Sequence, residues 1–206
     1  MILIRPWLTI GCVLIACTSC VGNPPVGREL PLPPERISRD GYSLLPPDEA
    51  GWDVVENDSR LLLVRRHEGR DKTFIIDAGL LKLPPYRTNE ELRRLIDSAQ
   101  LRSNEQGRLV TTMHEVEADA IKGVDCVKSR DIGETQVPVE KSGGTRNMII
   151  EMTRLICAHP EDRAVGIEVS YSHIRFPTDI KYLRNQDSAF FDRAAAFLED
   201  VEFNDL

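Results

Sequence analysis

The stretch that decides the fold is NMIIEMTRLICAHPEDRAVGIEVSYSHI, at residues 147–174. In its first part, apolar side chains recur at alternate positions, the spacing of a β-strand with one apolar face. These side chains are Met148, Ile150, Met152 and Ile156. Residues 163–174 alternate in the same way, and the polar residues 159–162 between the two parts favour a turn. The stretch predicts two antiparallel strands whose sheet has one buried face and one partly solvated face.

Strand patterns continue on both sides of this stretch. Upstream, three strand-like runs at residues 52–56, 60–67 and 72–82 are separated by turn signals. Residues 108–120 and 123–132 predict two further strands, and the polar residues 133–146 predict a loop. These runs predict a meander of antiparallel strands on both sides of a helix.

Two helices accompany the strands. The segment Thr88-Asn89-Glu90-Glu91 fits a capping box. Apolar residues then follow at helical spacing, and the helix is expected to end near Ser103. A second helix is expected from Asp187 or Ser188, with a broad apolar stripe that includes three phenylalanines. The predicted fold class is therefore α+β, an antiparallel β-sheet packed by two main helices.

The order of elements resembles the PsbP-like fold, which includes photosystem accessory proteins and DcrB-type bacterial lipoproteins. The resemblance covers residues 50–204 and lies in the early hairpin, the helix from Thr88 to Ser103, the meander around the two strand cysteines and the ending FLEDVEF at residues 197–203. It implies an α/β sandwich and a small accessory or assembly factor without enzymatic activity. It is a resemblance of layout, and no binding residue is carried over.

The N-terminal 16 residues have the zones of a signal peptide. Arg5 supplies a positive charge, and the apolar run after it is about half of the roughly 20 residues that span a bilayer. The run closes with LIAC at residues 14–17, which resembles the lipobox of bacterial lipoproteins. The resemblance implies a lipidated Cys17 as the first mature residue. An ordinary secretory signal, a buried N-terminal strand and an anchor at Cys20 are the alternatives.

The leader divides the chain into three predicted regions. Residues 1–16 are the lipoprotein signal peptide, and residues 17–47 are the lipidated cysteine with a proline-rich linker. Part of this linker can instead lie on the domain surface, because Ile37, Tyr42, Leu44 and Leu45 are apolar enough to dock. Residues 48–206 form a single α+β domain. In a Gram-negative host, Thr18 after the anchor implies the outer membrane, with the domain facing the periplasm.

The five cysteines are sorted by position. Cys126 and Cys157 lie inside strand-like runs, whereas the other three lie in or beside the leader. In an oxidising compartment outside the cytoplasm the two strand cysteines favour a disulfide. It would close a loop of about 30 residues, worth roughly 3–4 kcal/mol in the chain-entropy model. A pair of buried free thiols is the alternative.

The charge of the chain restricts its partners. Of 206 residues, 26 are basic and 33 acidic, and removal of the leader with Arg5 leaves 25 against 33, a net charge of −8. An acidic chain gains no general attraction to nucleic acid or to anionic headgroups. We therefore expect no nucleic-acid partner, and membrane attachment through the acyl chains on Cys17.

Catalytic, cofactor and metal motifs are incomplete in this chain. His114-Glu115 begins like HExxH, but Ala118 occupies the place of the second histidine. Cys157 and His159 have a spacing that ligands can have, but alternate residues of a strand often do. Neither a phosphate-binding GK[ST] signature nor a GxSxG elbow is present. We expect no cofactor, metal or catalytic residue.

Two polar clusters remain. Ser170, Ser172 and His173 lie on one strand, where neighbouring side chains point to opposite faces and cannot form a triad by proximity alone. The second cluster is the local basic concentration of the chain, on a predicted hairpin from Arg60 to Lys72. Its members are Arg60, Arg65, Arg66, His67, Arg70 and Lys72. It is either an interaction patch for an acidic partner or phosphate groups, or a solvated hairpin end.

Together these features predict a membrane-anchored envelope lipoprotein that acts as a non-catalytic accessory or binding protein, with an envelope protein as partner. A carrier of a lipid or small apolar ligand, held between helix and sheet, is the alternative. A periplasmic hydrolase with an unrecognised site is a third possibility, and it requires a deep pocket with titratable groups of shifted pKa.

Overall fold

Every strand of the main sheet runs antiparallel to its neighbours. A computed structural model describes residues 27–57, 60–66, 72–106, 109–138, 144–176 and 188–206. The strands are β1 (Arg28–Glu29), β2 (Ile37–Arg39), β3 (Tyr42–Leu44), β4 (Trp52–Asn57), β5 (Arg60–Arg66), β6 (Lys72–Lys82), β7 (Val110–Ile121), β8 (Val124–Pro138), β9 (Thr145–Ala158), β10 (Val165–Arg175) and β11 (Glu202–Phe203). The helices are α1 (Asn89–Gln106) and α2 (Ser188–Glu199).

Eight strands form the main sheet in the order β1-β4-β5-β6-β10-β9-β8-β7. A second sheet has three strands in the order β11-β3-β2. The α+β prediction therefore fits broadly: the described chain is mostly antiparallel sheet with two helices, and the sheet dominates.

The turn between β7 and β8 shows how tightly the meander is connected. Lys122 and Gly123 both have positive φ, at 52° and 81°. Two residues with φ > 0 make the type I′ geometry that matches the twist of a two-residue hairpin. β8 then runs to Pro138 and pairs with β9 as far as Thr145. The prediction of a loop is therefore wrong for residues 133–138 and 145–146, whose polar side chains do not prevent pairing across the two strands. Residues 139–143 lie outside the described residues.

One face of the main sheet, the α2 face, carries the larger core. Residues directly opposite in register share a face, so Tyr171 lies in one row with Ile76 and Leu63. Helix α2 packs on this row, with Phe190 at 0 % and Leu198 at 1 % exposure. The predicted apolar stripe of the last helix is buried here, and Tyr42 and Leu44 of the small sheet join the same cluster.

The other face, the α1 face, is covered over part of its width. Helix α1 contacts β7 and β8, and Leu92 and Ile96 pack there against Val127 and Ile156. The helix begins as a capped one, because the N–H of Glu91 donates to the Thr88 hydroxyl oxygen at 3.2 Å. The Glu91 carboxylate accepts from the backbone N–H of residue 87 at 2.8 Å, one residue earlier than in the capping box.

The N-terminal boundary of the domain differs from the prediction. Residues 27–47 lie on the domain, where β1 pairs with β4 and β3 pairs with β11. Tyr42 and Leu44 are 2 % and 1 % exposed, so the alternative in which they dock is the one observed. Asn204 fixes this segment, because its amide donates to the carbonyl oxygen of Tyr42 at 2.9 Å. The folded region extends upstream of Asp48 because β1 pairs with β4 and the β2–β3 hairpin pairs with β11 at the far end of the chain.

Neither described helix is both long enough and apolar enough to cross a membrane. The predicted leader and Cys17 lie outside the described residues.

Candidate functional site

The predicted disulfide pair is brought together by the sheet. Cys126 and Cys157 are directly opposite on β8 and β9. Their sulfur atoms lie 2.09 Å apart, at disulfide distance. Both residues are buried on the α2 face, at 0 % and 2 % exposure.

Two of the four described members of the basic hairpin, Arg60 and Arg65, form internal pairs, whereas Arg66 and Lys72 are exposed. Arg60 donates to Asp77 at 2.7 Å and to Glu168 at 2.9 Å. Arg65 forms an ion pair with Glu49. Arg66 is exposed at the hairpin end. Residues 67–71, which include the predicted patch members His67 and Arg70, lie outside the described residues.

The motifs judged incomplete from the sequence are placed apart by the structure. His159 is buried and faces Asn204, whose carbonyl oxygen lies 2.8 Å from its Nε2, while Cys157 is paired with the other cysteine. The register places His173 on the α2 face and Ser170 and Ser172 on the α1 face. The Ser/His cluster is therefore divided between the two sides of the sheet.

His114 occupies a site that no sequence motif indicated. It lies on β7 on the α1 face, and its ring contacts a carboxylate at each nitrogen. Nδ1 is 2.5 Å from Asp131 Oδ1 on β8, and Nε2 is 2.8 Å from Asp97 Oδ1 on α1. The imidazole thus joins the helix to the sheet.

The electrostatics of this bridge follow from its two carboxylates. Burial disfavours the charged ring, but the hydrogen bonds to Asp131 and Asp97 outweigh burial and raise the pKa of His114 above its ordinary value. Ser129 extends the cluster on β8, because it accepts a hydrogen bond from the Gln100 amide of α1 at 3.1 Å. The bridge and this bond lie side by side between α1 and β8.

A second ionisable cluster lies on the α2 face. Glu151 is completely buried, and its carboxylate contacts His173 Nδ1 at 3.0 Å and accepts from Arg175 at 2.8 Å. The His173 ring stacks on Phe74 with 4.5 Å between ring centroids. Burial alone would raise the pKa of Glu151, but the hydrogen bonds from His173 and Arg175 outweigh burial and lower it. The cluster is closed off from solvent and holds β9, β10 and β6 together.

The remaining part of the α1 face carries an apolar surface, which we call the open patch. It consists of four partly exposed side chains on β4, β5 and β6, namely Val55, Leu62, Val64 and Ile75. Val55 is opposite Leu62, and Val64 is opposite Ile75. The contacts of both described helices lie with β7–β10. The open patch is therefore a part of the main sheet with which neither described helix has its main contacts.

A charge network borders the open patch. Asp77 lies directly opposite Leu62 and pairs with Arg60, which also reaches Glu168 across Gly79. Gly79 is in register between Arg60 and Glu168 and has no side chain to block the contact. Burial raises the pKa of Asp77, although Arg60 opposes this rise. These charges satisfy one another, so the surface beside the apolar side chains is polar but internally compensated.

Two grooves are lined by described residues. One, of about 360 Å³, lies between β1 and β2, with apolar Leu30, Pro31 and Ile37 beside charged groups. The other, of about 330 Å³, is lined by five residues of β7 and β8, four of them charged. In the described part of the chain, no set of three or more His, Cys, Asp or Glu side chains is arranged to hold a metal ion.

No family model matches the chain, and no curated protein matches it. Among solved structures, the chain is similar to cyanobacterial PsbP (CyanoP) from Synechocystis sp. PCC 6803. The TM-score is 0.48 at 13 % identity, covering 82 % of this chain and 92 % of that one. It is also similar to a protein from Bacteroides thetaiotaomicron VPI-5482, with a TM-score of 0.37 at 13 % identity, covering 82 % and 48 %. No residue role follows from either similarity.

Proposed function

We propose that this chain is a membrane-anchored lipoprotein of the bacterial cell envelope and acts as a non-catalytic accessory or binding protein. The observation that carries the binding role is the open patch, where Leu62, Val64 and their two neighbours remain partly exposed on a sheet face. Large contiguous exposed apolar patches mark protein or membrane contacts, and the proposal extends this role to the open patch, whose four side chains are partly buried. The PsbP-like α/β sandwich is part of the same proposal and rests on the order of elements.

The non-catalytic role is supported by how the titratable groups are used. Glu151, His114 and Asp77 each contact a partner on another strand or helix. Shifted pKa values occur in structural ion-pair networks as well as in active sites. Each of these groups joins two elements of the fold, which favours the structural explanation.

The anchor limits where the domain can work. Cys17 precedes the first described residue, Gly27, by ten positions, and a fully extended chain spans at most about 3.3–3.6 Å per residue. The domain would therefore lie within about 35 Å of the lipid, on the proposed outer membrane and facing the periplasm. A nearby envelope protein is then the partner we propose for the open patch.

Labelled fatty acid tests the anchor. Cells that express the full chain are expected to give labelled protein in the membrane fraction, and Cys17→Ser is expected to abolish both the label and the membrane association. Cys20→Ser is the matched control and is expected to keep both. Full labelling of the Cys17→Ser variant would disprove this anchor.

Site-specific photo-crosslinking in cells tests the binding role. A photoreactive side chain at Leu62 or Val64 is expected to capture a recurring envelope protein. The same group at Arg102, an exposed residue of α1, serves as control and is expected not to capture that protein. If Leu62, Val64 and Arg102 give the same products, the open patch is not the binding surface.

The alternative of a carrier for an apolar ligand receives no support between α2 and the sheet. Tyr171 contacts Phe190 and Phe197 there, with ring centroids 5.5 and 5.6 Å apart. These rings occupy the interface that such a ligand would need. The groove between β1 and β2 has a volume within the ordinary range of ligand pockets, but its lining mixes apolar and charged groups.

A further inference from the structure

We propose that His114 is a pH-sensitive latch that holds helix α1 on the sheet only while its imidazole carries both protons. The proposal rests on the position of the ring between Asp97 of α1 and Asp131 of β8, at 2.8 and 2.5 Å. It does not depend on the proposed envelope function.

The geometry itself requires the charged ring. An ionised carboxylate only accepts hydrogen bonds, and a neutral imidazole has a single N–H to donate. With one carboxylate at each nitrogen, both contacts are hydrogen bonds only in the imidazolium form. Loss of one proton to solvent turns one of the two contacts into a repulsion between an acceptor lone pair and a carboxylate oxygen.

Unequal burial decides which contact is lost. The Asp131 side chain is 4 % exposed, whereas the Asp97 side chain is 31 % exposed. A buried carboxylate without its donor keeps its full desolvation penalty, whereas Asp97 can be hydrated where it stands. The remaining proton therefore stays on Nδ1 against Asp131, and the Nε2 contact to Asp97 is lost. The hydrogen bond between His114 of β7 and Asp131 of β8 is kept. The hydrogen bond between His114 and Asp97 of α1 is lost.

The charges around the ring come from three elements. On α1, Arg93 lies 3.8 Å from Asp97 and also binds Glu90. On β8, the Ser129 hydroxyl lies 3.5 Å from Asp131. On β9, Arg154 is opposite Ser129 in register and forms an ion pair with Glu168. Of these cations, Arg93 is the one that contacts a latch carboxylate, and it can hold Asp97 in place after the latch opens.

The pH range follows from the sign of the shift. The folded-state pKa of His114 is raised, so the stabilisation it provides is complete below the ordinary histidine value of about 6.5 and is lost as pH rises through the raised value. The latch is therefore closed below a pH of about 6.5 and opens as the pH rises through the raised pKa of His114. Opening leaves α1 held by the apolar contacts of Leu92 and Ile96. Three hydrogen bonds to the sheet also remain, Gln100–Ser129, Asn89–Asp119 and Asn104–Thr111.

The direct test is an NMR titration of the full chain in detergent with ¹⁵N-labelled histidine. His114 is expected to show two protonated ring nitrogens at pH 6 and a midpoint above 6.5. Above the midpoint, it is expected to keep only the Nδ1 proton. A single protonated nitrogen at pH 6, or a midpoint at or below 6.5, would overturn the proposal without need of any variant.

Hydrogen exchange tests the consequence for the helix. After correction for the intrinsic pH dependence of exchange, protection of the α1 amides is expected to fall about tenfold through the midpoint, the order expected for one charge-assisted hydrogen bond. Protection of β10 is expected to stay constant. Equal behaviour of α1 and β10 would refute the latch even if the midpoint is raised.

Two variants separate the latch from general charge effects. Asp97→Asn is expected to remove the pH step in α1 protection while the Asp131 contact keeps the His114 midpoint partly raised. Arg102→Gln is the control for charge, because Arg102 is an exposed charged residue of the same helix. It is expected to leave both the step and the midpoint unchanged. A step that persists in Asp97→Asn would contradict the assignment.

Discussion

Removal of the Cys126–Cys157 disulfide is expected to destabilise the domain mainly through its unfolded state. The two cysteines face each other on β8 and β9, which the sheet already holds in register. Little native structure therefore depends on the covalent bond itself. The unfolded chain, by contrast, gains the freedom of the opened loop.

The size of the effect follows from the loop. The cysteines are 31 positions apart, and the chain-entropy relation gives about 3.7 kcal/mol for a loop of that length at 25 °C. With an m-value of about 2 kcal/mol per molar urea, the unfolding midpoint should fall by about 2 M. Because both cysteines are buried, a Cys126→Ala/Cys157→Ala variant also loses some packing, so its shift should slightly exceed that of the reduced wild type.

Urea unfolding at pH 7, followed by circular dichroism, measures this difference in three samples. They are the oxidised wild type, the wild type with reductant, and the double alanine variant. Reductant should lower the urea midpoint of the wild type and leave the midpoint of the double variant unchanged. A wild-type shift below about 0.5 M with complete reduction would show that loop entropy is not what the bond supplies.

Two further substitutions test the contacts that close the fold. Asn204→Ala removes an amide that donates to the carbonyl oxygen of Tyr42. We expect it to lower the free energy of unfolding, measured with urea, by about 1–3 kcal/mol. Asp205→Asn, at an exposed position, should leave the free energy of unfolding unchanged. For Glu151, the pKa is lowered because hydrogen bonds from its histidine and arginine partners outweigh burial. Its stabilisation is therefore complete above its ordinary pKa of about 4.3 and is lost as pH falls through the lower folded value. Thermal unfolding between pH 6 and 3 should show this loss in the wild type and a weaker pH dependence in Glu151→Gln, which should also be about 3 kcal/mol less stable at pH 6. Equal slopes in the two proteins would contradict this role of Glu151.

The local patterns of the sequence predicted most of the elements. Alternation at residues 147–174 indicated β9 and β10, and the apolar spacing after Thr88 indicated α1. These patterns predict strands and helices because the side chains that are buried recur with the period of the strand or the helix. The period is visible within a few residues of sequence. The predicted cysteine pair followed from a different kind of reasoning, in which the export signal restricts the chemistry of thiols.

The N-terminal boundary could not be predicted in the same way. Proline density between residues 24 and 47 argued for a linker, and strand pairing overturns that expectation from Gly27 onward, part of it with nearby strands and part of it with the far end of the chain. β3 pairs with β11, and Asn204 closes the contact from more than 160 positions away. Pairing across such a separation leaves no periodic trace in the sequence. Tyr42 and Leu44 were the one available signal, since large apolar residues are unusual in a solvated tether.

His114 shows the same limitation at a site. A motif search tests fixed spacings, and HExxH failed at Ala118. The true partners, Asp97 and Asp131, are each 17 positions away, one on a helix and one on the next strand. The sequence did contain one signal for this site. His114 lies in a strand with alternating apolar residues, which an amphipathic helix is expected to cover. A charged ring beneath such a helix needs partners of opposite charge.

The two parts of the α1 face have different consequences for function. Under α1, Val127 and Ile156 are buried, and Ile156 lies opposite Glu168 in the row that leads to the charge network beside the open patch. The apolar surface beneath the helix and the open patch therefore belong to one face, separated by compensated charges. If the latch at His114 controls how firmly α1 is held, then pH alters how much of this face is available next to the patch. A binding role at the open patch and a pH-sensitive helix beside it would then be parts of one surface, because the sheet rows connect them.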